Sequence, residues 1–148
     1  MMAGSCARTE ILVGKLGLSQ LAESHVLIAG LGGVGGACAE SLCRAGVGEL
    51  TLVDFDMVAK TDLNRQLIAL HSTLGKSKVE VLSKRLRDIN PDTIINEKNI
   101  FIDRQEAEEI AKDDDLTFIA DCIDAIAYKT VLIDACNRSG MPIISSMG

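Results

Sequence analysis

The sequence predicts an α/β fold, a doubly wound and mostly parallel sheet. Three observations predict it. Short apolar runs alternate with helix-period segments along the whole chain. The apolar content is Val, Ile, Leu and Ala, with aromatics at 3% and no Trp, as suits strands buried on both faces. A glycine-rich turn holds Gly30, Gly32, Gly33 and Gly35 between an apolar run and a helical segment. Strand, glycine loop and helix in that order make a Rossmann-like nucleotide-binding unit.

Each element follows in turn. Residues 11–22 carry enough period for one or two short helical turns. Residues 25–29 form the first strand. Residues 33–45 form a helix with an expected buried stripe of Val34, Cys38, Ser41, Leu42 and Ala45, stopped by Gly46 and Gly48. Residues 50–53 form the second strand, which ends at Asp54, Phe55 and Asp56. A long polar connection over 57–76 leads to a helix over 77–89, with Leu82, Leu86 and Ile89 inward, ended by Asn90 and Pro91. A third strand is expected over 93–97 and a third helix over 104–112. Asp113, Asp114 and Asp115 make a solvated turn. A fourth strand over 116–120 ends at Asp121, Cys122 and Asp124, followed by a helix over 125–139 and a fifth strand over 141–145. That last strand is expected to be central. A chain stopping just after it suggests that 1–148 is the N-terminal part of a longer protein.

At 148 residues, 47% hydrophobic and 24% charged, the length suits one domain with a real core. No apolar run approaches the roughly 20 residues that span a bilayer, and no secretory signal is visible. Cys6, Cys38, Cys43, Cys122 and Cys136 contain no C-x-x-C pair, so reduced thiols and a cytoplasmic location are expected, without a zinc site. The net charge of −6 argues against a nucleic-acid footprint spread over the domain; a local basic patch remains open.

Ligands of such sheets bind past the carboxyl ends of the strands. Gly30 and Gly32 would let the chain turn and backbone amides approach a phosphate there, Gly35 would let the helix pack close to the strand, and the partly positive helix N-terminus would face the anion. Asp54, ending the second strand, is placed to hold ribose hydroxyls of either NAD or ATP; its alternative is a strand-end turn former. A triphosphate needs cationic clamps and usually magnesium. Arg65 and Lys78 are the candidate clamps, and Asp124 the candidate metal-ligating carboxylate. Their alternatives are a loop surface residue, an exposed helix cation and a helix N-cap.

Several strings in order carry a resemblance: the glycine loop; the stretch from Gly46 to Asp56; Asn64, Arg65 and Gln66; Gly75 to Lys78; Ile89 to Pro91; and Asp121 to Asp124. Together they resemble the ThiF/MoeB/HesA superfamily of ubiquitin-activating-enzyme-like adenylyltransferases. The strings at 8–14, 64–70 and 142–148 are most similar to the branch that dehydrates threonylcarbamoyladenosine in tRNA. The resemblance implies ATP-dependent adenylation of a carboxylate, here followed by cyclising dehydration. The alternative is adenylation of the C-terminal glycine of a ubiquitin-like sulfur carrier, in thiamine or molybdopterin biosynthesis.

It further implies that the four glycines, Asp54, Asp56, Asn64, Arg65 and Lys78 bind the nucleotide. Arg8, Arg65, Lys78 and Asp124 would serve catalysis, Asp124 through Mg2+. Arg8 would act on the neighbouring subunit's triphosphate in a homodimer; otherwise it is a solvated residue at a helix start. tRNA is the implied substrate, with a sulfur carrier or cysteine desulfurase as a further partner. Cys122 reads as a small core residue in the fourth strand, not a nucleophile.

Overall fold

The computed structural model describes residues 6–147. Five parallel strands form one sheet in the order β3-β2-β1-β4-β5. They are β1 (His25–Ala29), β2 (Glu49–Val53), β3 (Ile94–Lys98), β4 (Phe118–Asp121) and β5 (Ile143–Ser145). The helices are α1 (Ala7–Glu23), α2 (Gly33–Ala45), α3 (Lys78–Ile89), α4 (Arg104–Ala111) and α5 (Ile126–Ser139). The first three strands step outward from β1; β4 then returns to β1's other side. The order therefore reverses between β1 and β4, where a crevice opens past the strand ends.

Alternating side chains supply two cores. On one face, Val26, Ile28, Leu50 and Leu52 meet Ala39 and Cys43 of α2 and Leu82 and Leu86 of α3. On the other, Leu27, Ala29, Val53 and Ile119 meet Ala107 and Ile110 of α4 and Leu132 and Ala135 of α5. The central strands are therefore apolar on both sides.

Four differences from the sequence reading have physical causes. α2 buries Gly35, Gly36, Ala39 and Cys43 most deeply; of the expected stripe Cys38 and Leu42 pack half-buried against the core, whereas Val34 and Ser41 are exposed. The helix turns this face inward because Gly35 alone allows its close approach to the Gly30 turn. The first helix runs from Ala7 to Glu23 in two parts, broken at Gly14, whose φ of 72° and ψ of 175° are non-helical. The 57–76 connection is anchored by buried Val58, Ile68 and Ala69, so it is a packed wall rather than a polar link. β5, expected as central, has β4 as its one neighbour among the described residues. No helix among these residues is long and apolar enough to cross a membrane.

Candidate functional site

The chain leaves β1 through Gly30, whose φ of 86° lies in the left-handed region. Gly35 meets a stricter demand. A Cβ there would lie 1.7 Å from the Gly30 carbonyl oxygen, so any side chain would push α2 off the turn. α2 begins with no side-chain cap and no acidic residue in its first turn. Its leading amides are thus available to an anion, and the helix dipole favours one.

Asp54 braces this turn. Its Oδ2 accepts from the Leu31 amide at 2.7 Å and its Oδ1 from the Asp56 amide at 2.8 Å. The turn-forming role is thus realised. An ionised carboxylate has about four acceptor sites, so capacity remains for a ribose hydroxyl.

Lys78 opens α3 and is only 6% exposed, which replaces the reading of an exposed helix cation. The Asp56 carbonyl accepts from its amide at 3.1 Å. Its Nζ lies 3.4 Å from Asp56 Oδ2 and 3.8 Å from Asp62 Oδ2. These are loose contacts for a buried ammonium with three donors. Asp62, which sequence reasoning missed as a functional residue, is buried and organises the loop. It accepts from the Ala59 amide at 2.9 Å and from Gln66 Nε2 at 3.0 Å. Gln66 is buried beside Gly32, and its Oε1 has no partner, which is uncommon for a buried acceptor.

Arg65 lies at the pocket with its side chain 58% exposed. Its Nη1 donates to the Thr61 carbonyl at 3.0 Å and to Asn64 Oδ1 at 2.9 Å. Asn64 therefore orients Arg65 and does not itself line the pocket.

A second buried lysine, on α5, meets the end of β4. Lys129 Nζ donates to Asp121 Oδ2 at 2.7 Å, and Ser145 Oγ donates to the same oxygen at 2.7 Å. Asp121 Oδ1 accepts from the Ile123 amide at 3.0 Å. This network fixes the turn that carries Asp124. Lys129 was also missed, since one lysine in an amphipathic helix gives no sign of which strand end it meets. Asp124 itself is exposed, lines the pocket and forms no side-chain hydrogen bond or ion pair with the described residues. The N-cap of α5 is Ala125, so Asp124 is not the cap. Cys122 follows β4 rather than lying in it and also lines the pocket.

The chain has three Phe and one Tyr. Phe55, Phe101 and Tyr128 gather at the pocket, with edge-to-face ring pairs at 4.9 and 4.5 Å between centroids. Such a cluster offers flat apolar surface to a base.

Gly30, Gly32, Gly33, Asp54, Asp56, Arg65, Lys78 and Asp124 thus surround one cavity of about 760 Å³. Gly35 lies beneath it. Arg8 is exposed on the first turn of α1 and is not among the lining residues. No group of three or more His, Cys, Asp or Glu among the described residues is placed to hold a metal ion. The pocket fits magnesium of the kind held by one or two carboxylates together with phosphate oxygens, since Asp124 is a carboxylate without a protein partner there.

A sequence model of the ThiF family matches residues 6–148. The chain belongs to the ThiF family. It is 42% identical over 142 residues to the tRNA threonylcarbamoyladenosine dehydratase of Bacillus subtilis, covering 96% of this chain and 56% of that protein. It is 39% identical over 129 residues to the molybdopterin-synthase adenylyltransferase of Escherichia coli, covering 87% and 52%. The crystal structure of the E. coli tRNA threonylcarbamoyladenosine dehydratase in complex with ATP superposes with a TM-score of 0.94 at 33% identity, over 97% of this chain and 59% of that one. This ThiF-family chain therefore spans about half the length of the curated relatives it matches.

Proposed function

We propose that this chain binds ATP and activates a carboxylate as its acyl-adenylate. The observation that carries the reading is the convergence of Arg65, Lys78 and Asp124 on the glycine turn, across one cavity. A dinucleotide-dependent oxidoreductase would use the glycines and Asp54 but would have no use for that charged set. In this reading the α2 amides and Lys78 hold phosphate oxygens, and Arg65 stabilises charge as pyrophosphate leaves. Asp54 holds the ribose, with Asp56 and Asn64 behind the two cations. Asp124 would hold Mg2+, which would supply charge neutralisation on the phosphates. The substrate carboxylate oxygen attacks the α-phosphorus, the bond to the bridging oxygen breaks, and pyrophosphate departs.

The substrate we favour is threonylcarbamoyladenosine in tRNA, supported by the 42% identity to a protein named for that dehydration. Attack within the activated group then closes a ring and releases AMP, with net loss of water. With a net charge of −6, contacts to the tRNA backbone call for a local basic patch, or for basic surface across a dimer or outside these residues. A homodimer with Arg8 acting in trans suits α1, which buries no residue and exposes Ile11, Leu12 and Leu16. The second reading, adenylation of a sulfur carrier's C-terminal glycine, is favoured by the 39% identity to an adenylyltransferase of that kind.

The deciding experiment gives the full-length protein Mg2+, ATP and either tRNA bearing threonylcarbamoyladenosine or a sulfur carrier ending in glycine. AMP release that requires the modified tRNA is expected. Pyrophosphate release that requires the carrier would move the assignment to the second reading.

A further inference from the structure

Two cysteines meet behind the glycine turn, and nothing in the adenylation chemistry uses them. Cys38 lies one turn beyond Gly35 on α2. Cys122 lies at the end of β4, and its Cβ is 3.2 Å from where a Gly35 Cβ would stand. The Cys122 amide donates to the Ala29 carbonyl at 2.8 Å, which pins its backbone to β1. Positions 35 and 38 share one face of α2, so Cys38 flanks the spot that Cys122 abuts, and both side chains pack against the same core. Both are half-buried, whereas Cys43 and Cys136 are buried. Cys122 also lines the nucleotide pocket.

We propose that Cys38 and Cys122 form a reversible intramolecular disulfide behind the nucleotide pocket. The oxidant is a peroxide. The Cys38 thiolate attacks one peroxide oxygen, the O–O bond breaks, and the departing hydroxide takes a proton to leave as water. Cys38 is then a sulfenic acid. The Cys122 sulfur attacks Cys38 Sγ, the S–O bond breaks, and the hydroxide takes the Cys122 proton as a second water. Two thiols lose two electrons to one peroxide. A dithiol reductant reverses the bridge by exchange.

Cys38 is the attacking sulfur. The neighbouring Cys122 side chain holds its thiol below the ordinary cysteine range, against the opposing effect of burial, and the same contact pushes Cys122 up. That direction at Cys38 favours the thiolate, the form that attacks a peroxide. The bridge ties α2 to the turn that carries Asp124. Drawing those two elements together changes the pocket wall, so the oxidised protein binds magnesium-ATP less well. That consequence rests on the nucleotide reading; the bridge does not.

The test treats the full-length protein with hydrogen peroxide and maps its peptides without reduction. Trypsin places Cys38 and Cys43 in the 16–44 peptide and Cys122 in the 113–129 peptide. We expect these two peptides to be joined, with fragmentation assigning the link to Cys38, and dithiothreitol to release them. Prior addition of magnesium-ATP should slow the joining several-fold. Peroxide should abolish the ATP-dependent rise in melting midpoint, dithiothreitol should restore it, and the Cys38→Ser variant should keep that rise under peroxide. Unlinked peptides, or a sulfinic acid at Cys38 beside a free Cys122, would overturn the bridge. A linked protein that keeps its full ATP response would overturn the coupling. A reduced protein without any ATP response would count against the nucleotide reading alone, and the map would still decide the bridge.

Discussion

Two lysines are buried, Lys78 at the start of α3 and Lys129 on α5, and their surroundings differ in kind. Lys129, 4% exposed, makes a 2.7 Å contact with Asp121, whose carboxylate also receives Ser145 and the Ile123 amide. Lys78, 6% exposed, has carboxylates only at 3.4 and 3.8 Å. The first ammonium is closely held by the fold. The second is buried, still charged-partnered, and has donors to spare. A buried cation whose own protein leaves it loosely matched is one prepared for an external anion. The β4 side of the crevice is thus structural, and the β2–α3 side is where ligand charge would be met.

Substitutions at the two sites should separate along that line. Lys129→Ala strands Asp121 as an uncompensated buried charge and should cost about 3–5 kcal/mol of folding stability, read by urea unfolding. A loss under 1 kcal/mol would break the comparison. Lys78→Ala should leave a smaller stability deficit but slow adenylation by roughly 10²–10³-fold, about 3–4 kcal/mol of transition-state stabilisation. ATP–pyrophosphate exchange measures it, and unchanged exchange would remove Lys78 from the chemistry.

Asp124→Asn sharpens the contrast, because the Asp121 network positions this residue without using its carboxylate. The melting midpoint without ligand should stay put, since surface changes usually remain within about 0.5 kcal/mol. Calorimetric titration should show magnesium-ATP affinity falling by tenfold or more, equivalent to about 1.4 kcal/mol. A lower midpoint with unaltered affinity would make Asp124 structural.

The smallest effect lies outside the crevice. Glu40 joins α2 to α3 through Arg85 at 2.7 Å and bonds Arg44 on its own helix. The Arg85 hydrogen bond, then Arg44, hold its carboxyl below the ordinary value of 4.5. A lowered folded value means that this contribution is complete above 4.5 and is lost as pH falls through the folded value. Glu40→Gln should therefore cost about 0.5–1 kcal/mol at neutral pH, with the difference from wild type shrinking below pH 4.5.

The legible parts of this molecule were the local ones. Strand and helix order followed from period, and the glycine turn from spacing. That Arg65, Lys78 and Asp124 would meet at one cavity was legible from their places at loops and strand ends. What stayed hidden depended on long-range approach. The buried face of α2 is set by Gly35 meeting Gly30, a contact that no hydrophobic stripe reports. Asp62 looked like one more polar loop residue, yet it is buried because Val58, Ile68 and Ala69 pin its loop to the core. Lys129 gave no sign of Asp121, since the pair forms only once α5 packs back on β4.

The most direct measurement is thermal unfolding of the full-length protein with magnesium-ATP, magnesium-AMP or NAD, beside Lys78→Ala. Magnesium-ATP at 100 times its dissociation constant should add about 2.7 kcal/mol, a midpoint rise of several degrees that Lys78→Ala loses and NAD does not reproduce. A rise with NAD alone, or an equal magnesium-ATP rise in Lys78→Ala, would contradict the account.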